Sequence, residues 1–191
     1  MCIRDRNPQV EYKPFVLFVG RIEKQKGLMS LVKAFQNTDY NLKIIGFSND
    51  GYEDELKAYL NGKRHHIEFL GKMNFEQIVP YLKSCLCTVV PSEWYDNFPN
   101  VILESFAYKK AVVATNFGSL PELVRNGETG LTFNYQDVED FRSKIAYFFA
   151  HPTEAKAMGE NAFQNVQTCF SPAEHYNRLM KLFNDITGKQ K

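Results

Sequence analysis

Six short apolar runs recur along the chain at intervals of 20 to 27 residues, beginning at positions 15, 42, 67, 87, 111 and 131. They read as strands: Phe15 to Val19, Leu42 to Ile45, Ile67 to Leu70, Cys87 to Val90, Ala111 to Ala114 and Leu131 to Phe133. Short, apolar in the main and in part β-branched, they suit buried strands. Between them lie stretches of helical periodicity, at Leu28 to Gln36, Tyr52 to Leu60, Phe75 to Leu82, Pro99 to Tyr108, a turn at Pro121 to Val124, and Val138 to Phe149. That spacing leaves room for a right-handed crossover helix between parallel strands. The expectation is an α/β domain: a doubly wound, parallel six-stranded sheet covered on both faces. Two further helices, Thr153 to Thr168 and Pro172 to Ile186, follow with no strand between them. Ligands of such sheets bind at the carboxyl ends of the strands.

Two of those ends carry the chemistry. After the fourth strand comes Pro91-Ser92-Glu93-Trp94-Tyr95-Asp96-Asn97-Phe98-Pro99-Asn100-Val101-Ile102-Leu103-Glu104. Pro91 stops the strand by removing a backbone donor. Pro99 suits the first turn of a helix, and Asn97 is a candidate cap. Asp96 then lies on the loop and Glu104 one turn into the helix, with the free amides of a helix N-terminus between them. Those amides and the helix dipole attract an anion, while the two carboxylates can accept hydrogen bonds from hydroxyls. After the first strand, Val19-Gly20-Arg21-Ile22-Glu23-Lys24-Gln25-Lys26-Gly27 places three cations between two glycines, at positions suited to a tight turn or close backbone approach.

Together these segments resemble the nucleotide-sugar site of the glycosyltransferase family 4 (group 1) enzymes, which have the GT-B architecture. The family's two acids stand eight residues apart, a spacing that selects Asp96 and Glu104 and leaves Glu93 outside. Where the family usually has Glu-Gly-Phe-Gly, this chain has Asp96-Asn97-Phe98-Pro99. The first loop resembles the family's Gly-Arg-x-x-x-x-Lys-Gly element, which carries donor-diphosphate contacts to Arg21 and Lys26 and leaves Lys24 unmatched. Leu70-Gly71-Lys72-Met73 resembles the loop that reads the nucleotide base, and Gly46 with Phe47 to Gly51 a glycine loop after the second strand. Asn116-Phe117-Gly118-Ser119-Leu120-Pro121-Glu122 resembles a Gly-Gly-x-Pro-Glu loop in which Ser119 replaces the second glycine.

The resemblance implies a Rossmann-like half of a GT-B glycosyltransferase, residues 13–187, with 1–12 a non-native or linker segment and the N-terminal acceptor domain absent. It implies sugar transfer from a nucleoside diphosphate sugar, of UDP or GDP type, to a hydroxyl acceptor. Anomeric configuration would be retained, with no metal and no cofactor. Arg21, Lys26, Asp96 and Glu104 would carry the reaction: the two cations hold the diphosphate, Asp96 orients sugar hydroxyls and Glu104 the ribose. Donor contacts would also come from Gly20, Lys72, Met73, Phe98, Asn100 and Val101. The acceptor, a sugar or glycolipid, would bind through the missing half. Tyr176, Leu179, Leu182 and Phe183 would give the last helix an apolar face toward that half.

Composition fits. The 191 residues are 44% hydrophobic and 24% charged with a net charge of +1, which offers no field for nucleic acid. No apolar stretch approaches a membrane span or an export signal, so cytoplasmic placement is expected, with peripheral membrane attachment through the missing half left open. Cys2, Cys85, Cys87 and Cys169 lack metal spacing, and buried free thiols are expected for the middle pair. His65, His66, His151 and His175 fall on loop or helix faces. The Gly-x-Gly-x-x-Gly of a dinucleotide oxidoreductase and the Gly-x-x-x-x-Gly-Lys-Ser/Thr of a P-loop are both absent. A GT-B nucleotide-sugar epimerase half and a non-catalytic nucleotide-sugar-binding module remain as alternatives.

Overall fold

The computed structural model describes residues 14–188. One sheet is formed by β1 (Phe15–Val19), β2 (Asn41–Ile45), β3 (His66–Phe69), β4 (Cys87–Val90), β5 (Val112–Thr115) and β6 (Gly130–Phe133). Their order is β3-β2-β1-β4-β5-β6 and every neighbouring pair is parallel. The helices are α1 (Leu28–Phe35), α2 (Tyr52–Leu60), α3 (Phe75–Ser84), α4 (Asn100–Ala107), α5 (Leu120–Leu123), α6 (Val138–Ala150), α7 (Pro152–Cys169) and α8 (Pro172–Thr187).

Side chains along the central strands alternate between two apolar layers, whereas the edge strand β3 exposes His66 and Glu68. Val16 and Phe18 join the layer of α1, α2 and α6, while Phe15 and Leu17 turn to the other face and meet Leu82 of α3. Val112 and Ala114 pack with Ile102 and Phe106 of α4, whereas Val113 lies on the α1 and α6 side. All four residues of β4 and of β5 are buried. Right-handed crossovers going first out to β3 and then back across to β4 put α1 and α2 on one face and α3 and α4 on the other. The chain leaves β1 and β4 in opposite directions, opening a crevice over their carboxyl ends.

Two glycines bring loops into that crevice. Gly27 has φ +70°, and an added Cβ would stand 1.8 Å from the carbonyl oxygen of Pro91. A Cβ on Gly46 would stand 1.9 Å from the carbonyl oxygen of Gly20. The loops after β1, β2 and β4 are therefore in backbone contact.

Two local expectations need correction. Asn97 does not cap α4: the N-cap is Pro99, with no side-chain cap, and the first helical residue is Asn100. His66 belongs to β3 rather than preceding it. The expected segment 1–12 lies outside the described residues. Helix α8 has the expected exposed stripe, with Tyr176, Leu179, Leu182 and Phe183 between 40% and 61% accessible. No helix among the described residues is long and apolar enough to cross a membrane.

Candidate functional site

A cavity of about 400 Å³ lies over the ends of β1 and β4, and its wall gathers Gly20, Arg21, Lys26, Asp96, Asn100 and Val101. Six of the ten predicted site residues thus converge, although they come from segments some seventy positions apart in the chain. The Ile102 amide bonds to the Pro99 carbonyl at 3.0 Å. The Asn100 and Val101 amides make no backbone hydrogen bond among the described residues and are left as the donors of the helix N-terminus.

Both matched cations are already paired with acids. Lys26 Nζ donates to both Asp96 carboxylate oxygens, at 2.7 and 2.9 Å, and both side chains are largely shielded from solvent. Arg21 reaches Glu23 at 2.7 Å. Lys24, the unmatched cation, turns away to Glu55 at 3.2 Å.

Helix α4 is aimed by a buried hydroxyl chain. Thr88 Oγ of β4 donates to Ser105 Oγ at 2.8 Å, and Ser105 donates to the Val101 carbonyl at 2.6 Å. The two loops are stitched together by the Glu93 amide and Ser92 hydroxyl, which both donate to the Gln25 carbonyl, and by the Ser30 hydroxyl on the Glu93 carboxylate at 2.6 Å. Ser119 Oγ bridges the carbonyls of Asp96 and Asn97 at 2.5 and 2.8 Å. None of these braces was foreseen from the sequence. Their signal was the hydroxyl residues within and beside the motifs, whose partners only the topology reveals.

A second hollow, of about 230 Å³, adjoins the first through Gly20 and Arg21 and is lined by Ile45, Phe47, Lys72 and Met73. Lys72 Nζ stands 4.8 Å from the Phe47 ring centre. Phe98 joins neither wall; its ring turns onto Phe170, with centroids 5.6 Å apart. Glu104 lies half-buried in the second turn of α4 and also outside both walls. Burial raises its pKa above the ordinary carboxylate value. The Cys85 and Cys87 thiols are free and buried; burial pushes Cys85 up to about 12 and Cys87 well above its ordinary value. Among the described residues no three His, Cys, Asp or Glu side chains gather at one point.

A parallel sheet with a crevice at its switch point, two cations and a helix N-terminus define a doubly wound α/β domain whose crevice has the polarity to attract an anion. The chain belongs to the group 1 glycosyl transferases, whose family model matches residues 3–165. It is 34% identical over 149 residues to an uncharacterised glycosyltransferase of Methanocaldococcus jannaschii, covering 77% of this chain and 41% of that protein. It is 31% identical to the D-rhamnosyltransferase WbpZ of Pseudomonas aeruginosa, covering 82% and 42% of the two chains. Its fold superposes on sucrose-phosphate synthase from Thermosynechococcus elongatus with a TM-score of 0.78 at 28% identity, over 92% of this chain and 46% of that one. The chain spans about two fifths of the length of these two curated relatives.

Proposed function

We propose that this chain is the donor-binding, C-terminal half of a family 4 glycosyltransferase of GT-B architecture. It would hold a nucleoside diphosphate sugar for transfer to a hydroxyl acceptor, with retention of configuration and without a metal ion. The observation that carries this reading is the convergence of Arg21, Lys26 and the α4 N-terminus on one cavity beside Asp96. As the bond from sugar to phosphate breaks, positive charge develops on the sugar ring and negative charge on the diphosphate. Fixed cations and amides stabilise the latter, and each charge-assisted contact contributes about 1.5 to 3 kcal/mol.

The resting ion pairs suggest how the donor enters. Lys26 exchanges the Asp96 carboxylate for a phosphate oxygen, and the freed carboxylate accepts hydrogen bonds from the sugar. The pair keeps both groups hydrogen-bonded until the ligand arrives. The base would enter the adjoining hollow, lined by Phe47, Lys72 and Met73. Glu104 would face the ribose. Acceptor recognition would belong chiefly to the N-terminal half of the full-length protein.

The test is calorimetric titration of the chain with UDP and GDP and with their sugar conjugates. Diphosphate binding is expected with Kd on the order of 0.1 to 1 mM, weakening as salt rises. An Arg21→Ala, Lys26→Ala double variant should lose most of it. Asp96→Asn should bind the bare diphosphate as well as or better than wild type, since Lys26 no longer has a carboxylate to leave, yet gain less from an attached sugar. Binding indifferent to the double variant would remove the donor from this cavity. An Asp96→Asn loss equal for the two ligand types would remove Asp96 from the sugar.

A further inference from the structure

Beside the cavity, on the same carboxyl edge of the sheet, three loops bring together aromatic rings that the donor reading leaves unused. Tyr95 from the loop after β4 meets Phe117 from the loop after β5, with ring centroids 4.6 Å apart. Phe117 in turn stacks on Tyr135 from the loop after β6, again at 4.6 Å. Tyr95 is 69% exposed, Tyr135 39%, and Trp94 at the near end 59%. Phe117 thus forms the middle of a shelf, and the outer Tyr rings are presented to solvent. A patch of this kind marks an interaction site more often than a bare surface does.

The shelf is held in place by its own loops. An added Cβ on Gly118 would stand 3.4 Å from Tyr95 Cδ1, so the ring lies flush against the Gly118 backbone. The Asn116 amide donates to the Phe133 carbonyl at 2.6 Å, joining the second and third loops. Ser119 ties the second loop to the first through the carbonyls of Asp96 and Asn97. The same three loops carry neutral hydrogen-bonding residues, Asn97, Asn116, Asn134 and Gln136, and the Gln136 amide donates to the Tyr135 hydroxyl at 3.0 Å. Neither Asn116 to Ser119 nor Asn134 to Gln136 contains a charged residue.

We infer that this shelf is a subsite for a neutral sugar ring of the acceptor, a reading that rests on the donor function proposed above. A pyranose has an apolar face of C–H bonds, whose positive hydrogens suit the negative face of an aromatic ring. It also has a rim of neutral hydroxyls, which suits carboxamides. The shelf neighbours the cavity, because Tyr95 precedes Asp96, a residue of the cavity wall, and Ser119 of the Phe117 loop donates to the Asp96 carbonyl. A sugar lying on Tyr95 is therefore next to the point where a sugar on the donor would be released. A charged lipid surface or an acidic peptide finds no countercharge on these two loops.

The test is saturation-transfer NMR on the 191-residue chain with methyl α-D-mannopyranoside and methyl α-D-glucopyranoside as probes, without and with saturating UDP. Weak binding, on the order of millimolar, is expected, with the ring C–H protons of one sugar face most strongly saturated. Tyr95→Ala and Tyr135→Ala should each weaken the signal about three- to tenfold, while Tyr95→Phe retains it. Tyr95→Leu, which keeps apolar bulk without a ring face, should behave like Tyr95→Ala and guards against a general loss of folding. No saturation of either probe overturns the subsite. So does saturation unchanged in folded Ala and Leu variants, or saturation abolished by UDP. The UDP protons are read in the same tubes: sugar binding without UDP binding would sink the donor reading and leave the shelf, and the reverse would sink the shelf alone.

Discussion

At the scale of single residues, Glu104 exposes a conflict between folding and function. Burial raises its pKa in the folded chain, so just above the ordinary carboxylate value the native state holds a proton that the unfolded state has lost. Stability must then fall as pH rises through that window. Glu104→Gln removes this loss: its thermal midpoint should match wild type near pH 4 and equal or exceed it at pH 7. The same change should weaken ribonucleotide binding by about 1 to 2 kcal/mol, because a neutral amide is a poorer acceptor than a carboxylate. A 2′,3′-dideoxy ligand should not register it. Melting curves across pH check the first part, and a lower midpoint at pH 7 would show that burial there costs nothing. Residue roles were only partly legible beforehand. Motif spacing singled out Asp96 and Lys26, but their mutual ion pair depends on topology. Ser119 read as a lost glycine, yet Gly118 takes the positive φ of +60° while Ser119 sits at φ −84° and donates to the neighbouring loop.

At the scale of elements, β4 and α4 act as a unit whose orientation aims the free amides at the start of α4 into the crevice. The Thr88 and Ser105 hydroxyls are both fully buried, so neither can turn to water if its partner is removed. Ser105→Ala strands the Thr88 hydroxyl and should cost about 1 to 3 kcal/mol. At this chain length that lowers the melting midpoint by about 2 to 4 °C per kcal/mol. Adding Thr88→Val should restore part of the loss, since the buried hydroxyl then disappears with its partner. Strictly additive midpoints in the double variant would mean that the two hydroxyls are not coupled. The central strands were legible because both faces are buried, leaving short apolar runs, while the outer pair β2 and β3 carries Lys43 and Glu68 and was legible from the apolar residues around them. Strand ends shifted by a residue or two, as at Val112–Thr115, where pairing with β6 carries the ladder through Thr115 and Phe133. The start of α4 was misplaced for a different reason. A proline beside an asparagine fits two capping schemes, and here Pro99 is the cap and Asn97 holds the loop through its carbonyl.

At the scale of the whole molecule, the sheet and its seven nearer helices form the cooperative unit, and α8 lies outside it. Among the described side chains of α8 none is buried, and its apolar stripe faces outward. Ending the chain after Ser171 should therefore move the melting midpoint by only a few degrees. It should also make the chain less prone to self-association in sedimentation experiments, since the stripe is the largest run of exposed apolar side chains on any one helix. A collapse of the midpoint would show that α8 packs more tightly than its exposure indicates. The strand order carries a further consequence, in time rather than space. β1 is made well before β4, with two strands between them, yet Val16 pairs directly with Cys87. The β1–β2–β3 half can close its short crossovers while β4 is still being made, whereas the β1–β4 seam must wait for a much longer loop. The crevice proposed for the donor is that seam, so it depends on the longest-range strand pairing in the sheet rather than on a single local crossover.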